Sequence, residues 1–233
     1  GAKGVGGLNT RKYLEGWNGG AIVAPYPHSD FIPAGMNEEQ YTEYCLHYLE
    51  HHIPNYIAAK DNIAAIMVEP GLAEGGNWIP TKAFLKGIRD ICDRNDWLMI
   101  ADEVLTGLGR TAKMWAVEHY DVTPDILVIG KNLSGGIDAC AGVAARDEIL
   151  GNNPDFTANS TFAGTPAGCA AGIKTLEIFE PAMQQLADSD MQDEVLAASQ
   201  ELIQNKESAR SAELAVAITS SPLSTNSLSM SSW

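Results

Sequence analysis

Two residues of opposite charge each follow a short apolar run, and together they could carry out covalent chemistry. Asp102 follows residues 97–101, and Lys131 follows residues 126–129 and one glycine. A lysine amine can condense with an aldehyde, and burial would lower its pKa and favour the nucleophilic neutral form. A carboxylate in the same crevice can keep a pyridine nitrogen protonated, so that the ring accepts electrons from a bound molecule. The pair therefore predicts catalysis through an aldehyde cofactor.

The elements that must position this pair are short apolar runs that alternate with amphipathic helices. The predicted strands are residues 63–68, 97–101, 126–129 and 139–144. This alternation predicts an α/β fold, with a mainly parallel sheet and helices on both faces. Such sheets bind ligands beyond the carboxyl ends of their strands, which directs attention to Glu69, Asp102 and Lys131.

The helices are predicted from caps and from apolar periodicity. One begins after Asn37, which can form a capping box with Gln40, and is predicted to stop at Pro54. Its apolar stripe is predicted to contain Tyr41, Tyr44, Cys45, Tyr48, Leu49 and His52. Another opens at Pro80. A third is expected over residues 166–179 with Thr165 as its cap, and a last one over 181–206.

The segments MIADEVLTGLGRTAK and DILVIGKNLSGG place several fixed points around the charged pair. They contain Asp-Glu-Val, then Gly-x-Gly-Arg-Thr, then the lysine before Gly-Gly. This pattern resembles the signature of the class III pyridoxal-phosphate-dependent aminotransferases, and the chain is most similar to 4-aminobutyrate and ω-amino acid aminotransferase-like members. The resemblance covers roughly residues 5–180 and implies the large domain of the pyridoxal-phosphate-dependent transferase fold.

The resemblance also implies roles for individual residues. Lys131 would be the Schiff-base lysine, and Asp102 the partner of the pyridine nitrogen. Thr161, beside Ser160 in STFAGTPAGCAAG, would bind the cofactor phosphate across the interface of a homodimer. Glu74, in VEPGLAEGG, would pair with a substrate-binding arginine. The implied reaction moves an amino group from an amine or ω-amino acid to a 2-oxo acid.

Some features depart from the family pattern. Leu105 stands where a glutamine often bonds the ring hydroxyl, and Thr165 stands where an asparagine usually precedes proline. The sequence contains no counterpart of the family's Gly-Ser phosphate cradle, its stacking aromatic ring or its carboxylate-binding arginine. An alternative hypothesis is therefore a truncated or degenerate homologue that does no chemistry.

A second alternative comes from a different class of enzyme. The segment from His47 through Glu50 to His51 fits the H-x-x-E-H pattern of some zinc peptidases. Two histidines four residues apart on a helix can reach one metal ion, but the sequence offers no clear third ligand.

Composition limits the remaining functional classes. Fifteen basic and 30 acidic residues give a net charge of −15 with no basic cluster, so we expect no nucleic-acid partner. No apolar run reaches the ~18–20 residues of a membrane span, so we expect no membrane insertion. Four scattered cysteines and the lack of a signal-peptide pattern favour the cytoplasm. A mitochondrial location stays open, because the chain begins at Gly1 and its native start is expected to be absent.

Three regions are predicted along the chain. Residues 1–182 would form part of the cofactor-binding large domain, and residues 183–206 a connecting helix. Residues 207–233 are rich in serine and are expected to be a low-complexity, disordered tail.

Overall fold

The computed structural model describes residues 20–150 and 164–188. Within them, one four-stranded sheet has the strand order β1-β2-β3-β4. The strands are β1 (Ala65–Val68), β2 (Leu98–Asp102), β3 (Ile126–Ile129) and β4 (Gly142–Ala145). The first three are parallel and β4 is antiparallel to β3, which confirms the predicted α/β fold with a mainly parallel sheet.

The main helical elements lie before β1, between β1 and β2, and after β4. They are α1 (Glu38–His47), a π-helical turn (Tyr48–His52), α2 (Ile53–Tyr56), α3 (Lys82–Asn95), α4 (Asp147–Leu150) and α5 (Pro166–Ala187). A 3-10 turn, Lys131–Ser134, directly follows β3.

The core forms where α3 packs against β1 and β2. Its buried side chains repeat every three or four residues as predicted: Phe84, Leu85, Ile88, Ile91 and Cys92. They meet strand residues such as Ile66 and Met99, which are also buried. Each such side chain contributes roughly 1.5–3 kcal/mol when fully buried, so this layer holds the strand ends in place.

The start of α1 agrees with its predicted capping box. The Asn37 side chain accepts from the Gln40 backbone amide at 2.8 Å, and the Gln40 side chain accepts from the Asn37 amide at 3.0 Å. The predicted apolar stripe is wrong at two positions, because Tyr44 is 43% exposed and His52 is also exposed. The buried stripe is therefore narrower than the sequence indicated.

The prediction that Pro54 ends the first helix is wrong. Helical backbone continues from α1 through the π-helical turn into α2. The turn closes with a bond from the Ile53 amide to the Tyr48 carbonyl, which shifts the hydrogen-bond register by one residue. Pro54 then lies in the first turn of a new α-helical segment, where its missing amide hydrogen has little cost.

Helix α5 begins as predicted but runs further. The Thr165 hydroxyl accepts from the Gly168 amide at 3.3 Å and caps the helix. The expected end at residue 179 is wrong, since one helix continues through Pro181 to Ala187. The rest of the predicted last helix lies outside the described residues, and the predicted domain limits remain predictions. Among residues 20–150 and 164–188, no helix is long and apolar enough to cross a membrane.

Candidate active site

The carboxyl ends of β1, β2 and β3 bring three charged residues to one edge of the sheet. Val68 pairs with Ala101 and Asp102 pairs with Val128, so Glu69 and the Asp102 position lie side by side at the strand ends. Lys131 opens the 3-10 turn just after β3. The charges of Asp102 and Lys131 both act on the pKa of the Glu69 carboxyl. The structure thus brings together the three strand-end residues that the sequence singled out.

Glu69 organises the loop that follows β1. Its side chain accepts from the Ala73 amide at 2.7 Å, and its carbonyl accepts from the Tyr26 hydroxyl at 3.2 Å. Burial raises the pKa of Glu69 and Asp102 adds to the rise, while the Ala73 bond and Lys131 oppose it. The Glu69 carboxylate is therefore engaged with the loop backbone.

Asp102 uses only one of its carboxylate oxygens in hydrogen bonds among the described residues. Its Oδ1 accepts from the Val104 amide at 3.0 Å, which fixes the orientation of the carboxylate. Its Oδ2 has no hydrogen-bond partner among residues 20–150 and 164–188. Asp102 as a whole is half-buried at the carboxyl end of β2.

Lys131 differs from its expected environment, because its side chain is exposed instead of buried. In the part of the chain that the structure describes, its amine has neither a hydrogen bond nor an ion pair. Its backbone has a φ of +46°, a left-handed conformation that residues other than glycine rarely adopt. Such outliers persist only where the surrounding structure holds them in place.

Glu103 is the most buried acidic group near this pair, at 1% exposure, and no role beyond the motif was predicted for it. It accepts from the Val117 amide at 2.9 Å and from the Thr106 hydroxyl, and its own amide donates to the Val128 carbonyl at 2.9 Å. Burial raises the pKa of Glu103, and hydrogen bonds from Thr106, Val117 and Ala116 oppose the rise. Glu103 therefore ties the long loop after β2 to the strand end that carries Asp102. An acid directly after an apolar strand, with a threonine three residues later, is the one sequence signal for this role.

Arg110 links the glycine loop to the turn that contains Lys131. Its Nη2 donates to Asn132 Oδ1 at 2.7 Å. Gly109 has a φ of +80°, and a Cβ there would lie 2.9 Å from the Phe179 ring of α5. This glycine is therefore required by both its backbone conformation and its close contact. The sequence analysis did not identify this link, since it joins segments 22 residues apart.

Helix α5 packs closely against the Lys131 turn because small residues lie at the contact. A Cβ on Gly172 would lie 3.5 Å from the Leu133 carbonyl, and one on Gly135 would lie 3.1 Å from the Thr175 hydroxyl. The hydroxyl of Thr165 donates to Asp138 at 3.3 Å, which joins the start of the helix to the end of the same turn.

Of the remaining predicted site residues, only Glu74 lies within the described part of the chain, and its charge also raises the pKa of Glu69. Glu74 is exposed, in a loop closed by a 2.8 Å bond from the Leu72 amide to the Trp78 carbonyl. Ser160 and Thr161 lie outside the described residues.

The zinc-peptidase alternative gains no support. Both carboxylate oxygens of Glu50 accept from Arg94, at 3.0 and 2.9 Å, so Glu50 is not available as a catalytic base. Within residues 20–150 and 164–188, no group of three or more His, Cys, Asp or Glu residues could hold a metal ion.

A mostly parallel α/β sheet with a carboxylate and an amine at its carboxyl edge defines a ligand-binding domain of the α/β class. A family profile described as "Aminotransferase class-III" matches residues 9–216 of this chain. The chain belongs to the class III aminotransferase family.

Individual relatives agree with this assignment. The chain is 34% identical over 157 residues to a probable 4-aminobutyrate aminotransferase of Bacillus subtilis, covering 67% of this chain and 36% of the relative. It is 46% identical over 121 residues to an acetylornithine aminotransferase of Caldanaerobacter subterraneus, covering 52% of this chain and 30% of the relative. The chain thus spans about a third of the length of these curated relatives.

A solved structure of the same family agrees in fold. The ornithine aminotransferase of Toxoplasma gondii superposes with a TM-score of 0.53 at 34% identity, covering 59% of this chain and 31% of that one. In that structure pyridoxal phosphate partly occupies the active site. Class III aminotransferases use pyridoxal 5'-phosphate as their cofactor.

The described residues fit this cofactor. A ring nitrogen that carries a proton needs an acceptor, and Asp102 Oδ2 has no partner among the described residues. An aldehyde needs an accessible amine, and the side chain of Lys131 is exposed just after β3.

Proposed function

We propose that the complete protein is a pyridoxal-phosphate-dependent aminotransferase, and that this chain supplies its cofactor-binding lysine and carboxylate. The observation that carries the proposal is the common location of Asp102 and Lys131 at the carboxyl edge of the sheet, within a chain of the class III family.

Each of these two residues has a defined task in the proposed reaction. When bound, pyridoxal phosphate supplies an electron sink for the negative charge that develops at the substrate carbon. Asp102 Oδ2 would accept from the protonated ring nitrogen, a charged hydrogen bond typically worth ~1.5–3 kcal/mol. The amine of Lys131 would hold the cofactor and, when free, would move a proton at the substrate carbon. Such acid–base assistance typically contributes ~10²–10⁴-fold in rate.

Three further residues are assigned by resemblance to the family. Thr161, with Ser160 beside it, binds the cofactor phosphate, and Glu74 pairs with an arginine that recognises the substrate. The exposed position of Glu74 supports this role, since its carboxylate is accessible to a partner.

The proposed donor is an amine or ω-amino acid and the acceptor is a 2-oxo acid. The names of two relatives, a 4-aminobutyrate and an acetylornithine aminotransferase, support donors that carry a primary amine at the end of a chain. A homodimer is proposed as the working assembly, with a cytoplasmic or mitochondrial location. Exposed apolar side chains next to the Lys131 turn and on α5, Ile137 and Ile173, support an interface there.

The test is covalent capture of the cofactor by the purified chain. Pyridoxal phosphate is added, the absorbance spectrum is recorded, and borohydride reduction is followed by peptide mass mapping. We expect a reduced adduct on Lys131 that is lost in Lys131→Ala and retained in Lys174→Ala. Lys174 is a matched exposed lysine on α5. Adducts spread over surface lysines would refute the assignment and favour a homologue that does no chemistry.

A further inference from the structure

Two histidine rings converge on one face of the first helix, away from the edge of the sheet that carries Asp102 and Lys131. His47 is the last residue of α1 and His51 lies in the π-helical turn. Their ring centroids are 4.7 Å apart with an interplanar angle of 51°. A π-helical turn closes with i→i+5 bonds, so residues four and five apart lie on the same face and these rings are held close together.

The nitrogens of both rings are free of competing hydrogen bonds among the described residues. The closest charged group, Glu50 Oε2, lies 3.9 Å from His51 Nε2, beyond hydrogen-bond distance. Glu50 is itself held by Arg94 through both carboxylate oxygens. The side chain of His51 is also 54% exposed, so its ring nitrogens are accessible to an ion from solution.

The surroundings provide both space and negative charge. Two surface cavities of about 340 and 290 Å³ are lined in common by His47 and His51. The second cavity is also lined by three carboxylates and one guanidinium: Glu43, Glu50, Asp90 and Arg94. This excess of negative charge raises the local concentration of cations.

We propose that His47 and His51 chelate a divalent transition-metal ion of the zinc, nickel and copper group. Neutral imidazole nitrogen is a favoured ligand of these ions, and two histidines four apart on one helix face can reach the same ion. Water completes the coordination sphere, which the adjoining cavities can accommodate. With two protein ligands instead of four, the site is reversible and weaker than a closed structural zinc site. The bound ion joins α1 to the π-helical turn and stabilises this segment independently of the proposed aminotransferase chemistry.

The chain contains a matched control one residue away. His52 stacks on Tyr48 with ring centroids 4.5 Å apart and also contacts the Tyr56 ring at 5.0 Å. His52 lines the first cavity as well, but its ring packs on these two tyrosines, and the proposed chelate does not include it. His52→Ala removes a histidine of the same cluster but leaves the pair intact.

The experiment is calorimetric titration of the untagged full chain with NiCl₂, an ion that favours imidazole over thiols. We expect one site per chain in the wild type and in His52→Ala, with unchanged affinity. His47→Ala and His51→Ala should each weaken binding by more than about tenfold, since a single imidazole remains and the chelate is lost. Far-UV circular dichroism of each variant verifies that the helix is retained. Equal weakening in His52→Ala, or a nickel site that survives in His47→Ala and His51→Ala, would overturn the proposal.

Discussion

Glu103→Ala should be the most damaging single substitution next to the candidate active site. It removes the acceptor of the Val117 amide, the Thr106 hydroxyl and the Ala116 amide, all in a region closed to water. A buried donor left without a partner costs roughly 1–3 kcal/mol. The threonine hydroxyl can rotate to another acceptor, so the two backbone amides dominate. The substitution should therefore lower the free energy of unfolding by about 3–4 kcal/mol, within the range for a broken buried network.

Urea unfolding of the purified chain at neutral pH, followed by far-UV circular dichroism, measures this loss. With a slope of roughly 1–3 kcal/mol/M, the midpoint should fall by about 1–4 M. Glu103→Gln keeps one acceptor oxygen and should lose about half as much, since its amide group faces the donors. The control is Glu148→Ala, an exposed residue that pairs with Arg146 and should cost at most about 1 kcal/mol. If Glu103→Ala unfolds within about 1 kcal/mol of the wild type, this account of the loop after β2 is wrong.

Two further predictions concern pH and the contact between α5 and the Lys131 turn. Burial raises the pKa of Glu103 above its ordinary value of 4.5, so the part of its contribution to stability that depends on protonation is full below that pH and is lost as the pH rises. The stability difference between wild type and Glu103→Gln should therefore shrink as the pH of the urea titration rises above about 4.5; a difference that grows would contradict the sign. Gly172→Phe should force α5 away from the Leu133 carbonyl, cost about 1–3 kcal/mol and weaken cofactor capture at Lys131. The same change at Ala170, an exposed position two residues away, should leave both stability and cofactor capture unchanged. Equal losses in the two variants would refute the contact.

Most of the sheet could be predicted from the sequence because each strand is a short apolar run followed by a glycine or a charged residue. The capping box at Asn37 and the cap at Thr165 could also be predicted, since both depend on side chains within three residues. The helix boundaries at Pro54 and Pro181 could not be predicted. A proline rule assumes an unbroken α-helical register, and the π-helical turn changes that register before Pro54.

The candidate site was only partly predictable for a related reason. Asp102 and Lys131 are identified by strand ends, which are local signals. The role of Glu103 depends on the Val117 amide, 14 residues away, and the Arg110–Asn132 bond joins segments 22 residues apart. Such contacts exist only after the loop has packed, so neither periodicity nor spacing contains them. The exposure of Lys131 was missed because a strand end predicts the position of a residue but not how much of its side chain is covered.

The left-handed backbone of Lys131 has an evolutionary consequence. Its φ of +46° costs a residue with a Cβ roughly 1–2 kcal/mol, which a glycine would avoid. The greater freedom of glycine in the unfolded chain would offset roughly 0.5–1 kcal/mol of this gain. The net effect of glycine on the free energy of unfolding would therefore be modest but favourable. The fold by itself therefore favours glycine at this position. A lineage that no longer needed the amine would be free to replace this lysine early, while Glu103, which the fold requires, would persist. What a lysine adds at this position is therefore its amine, since the backbone conformation alone would be served better by glycine.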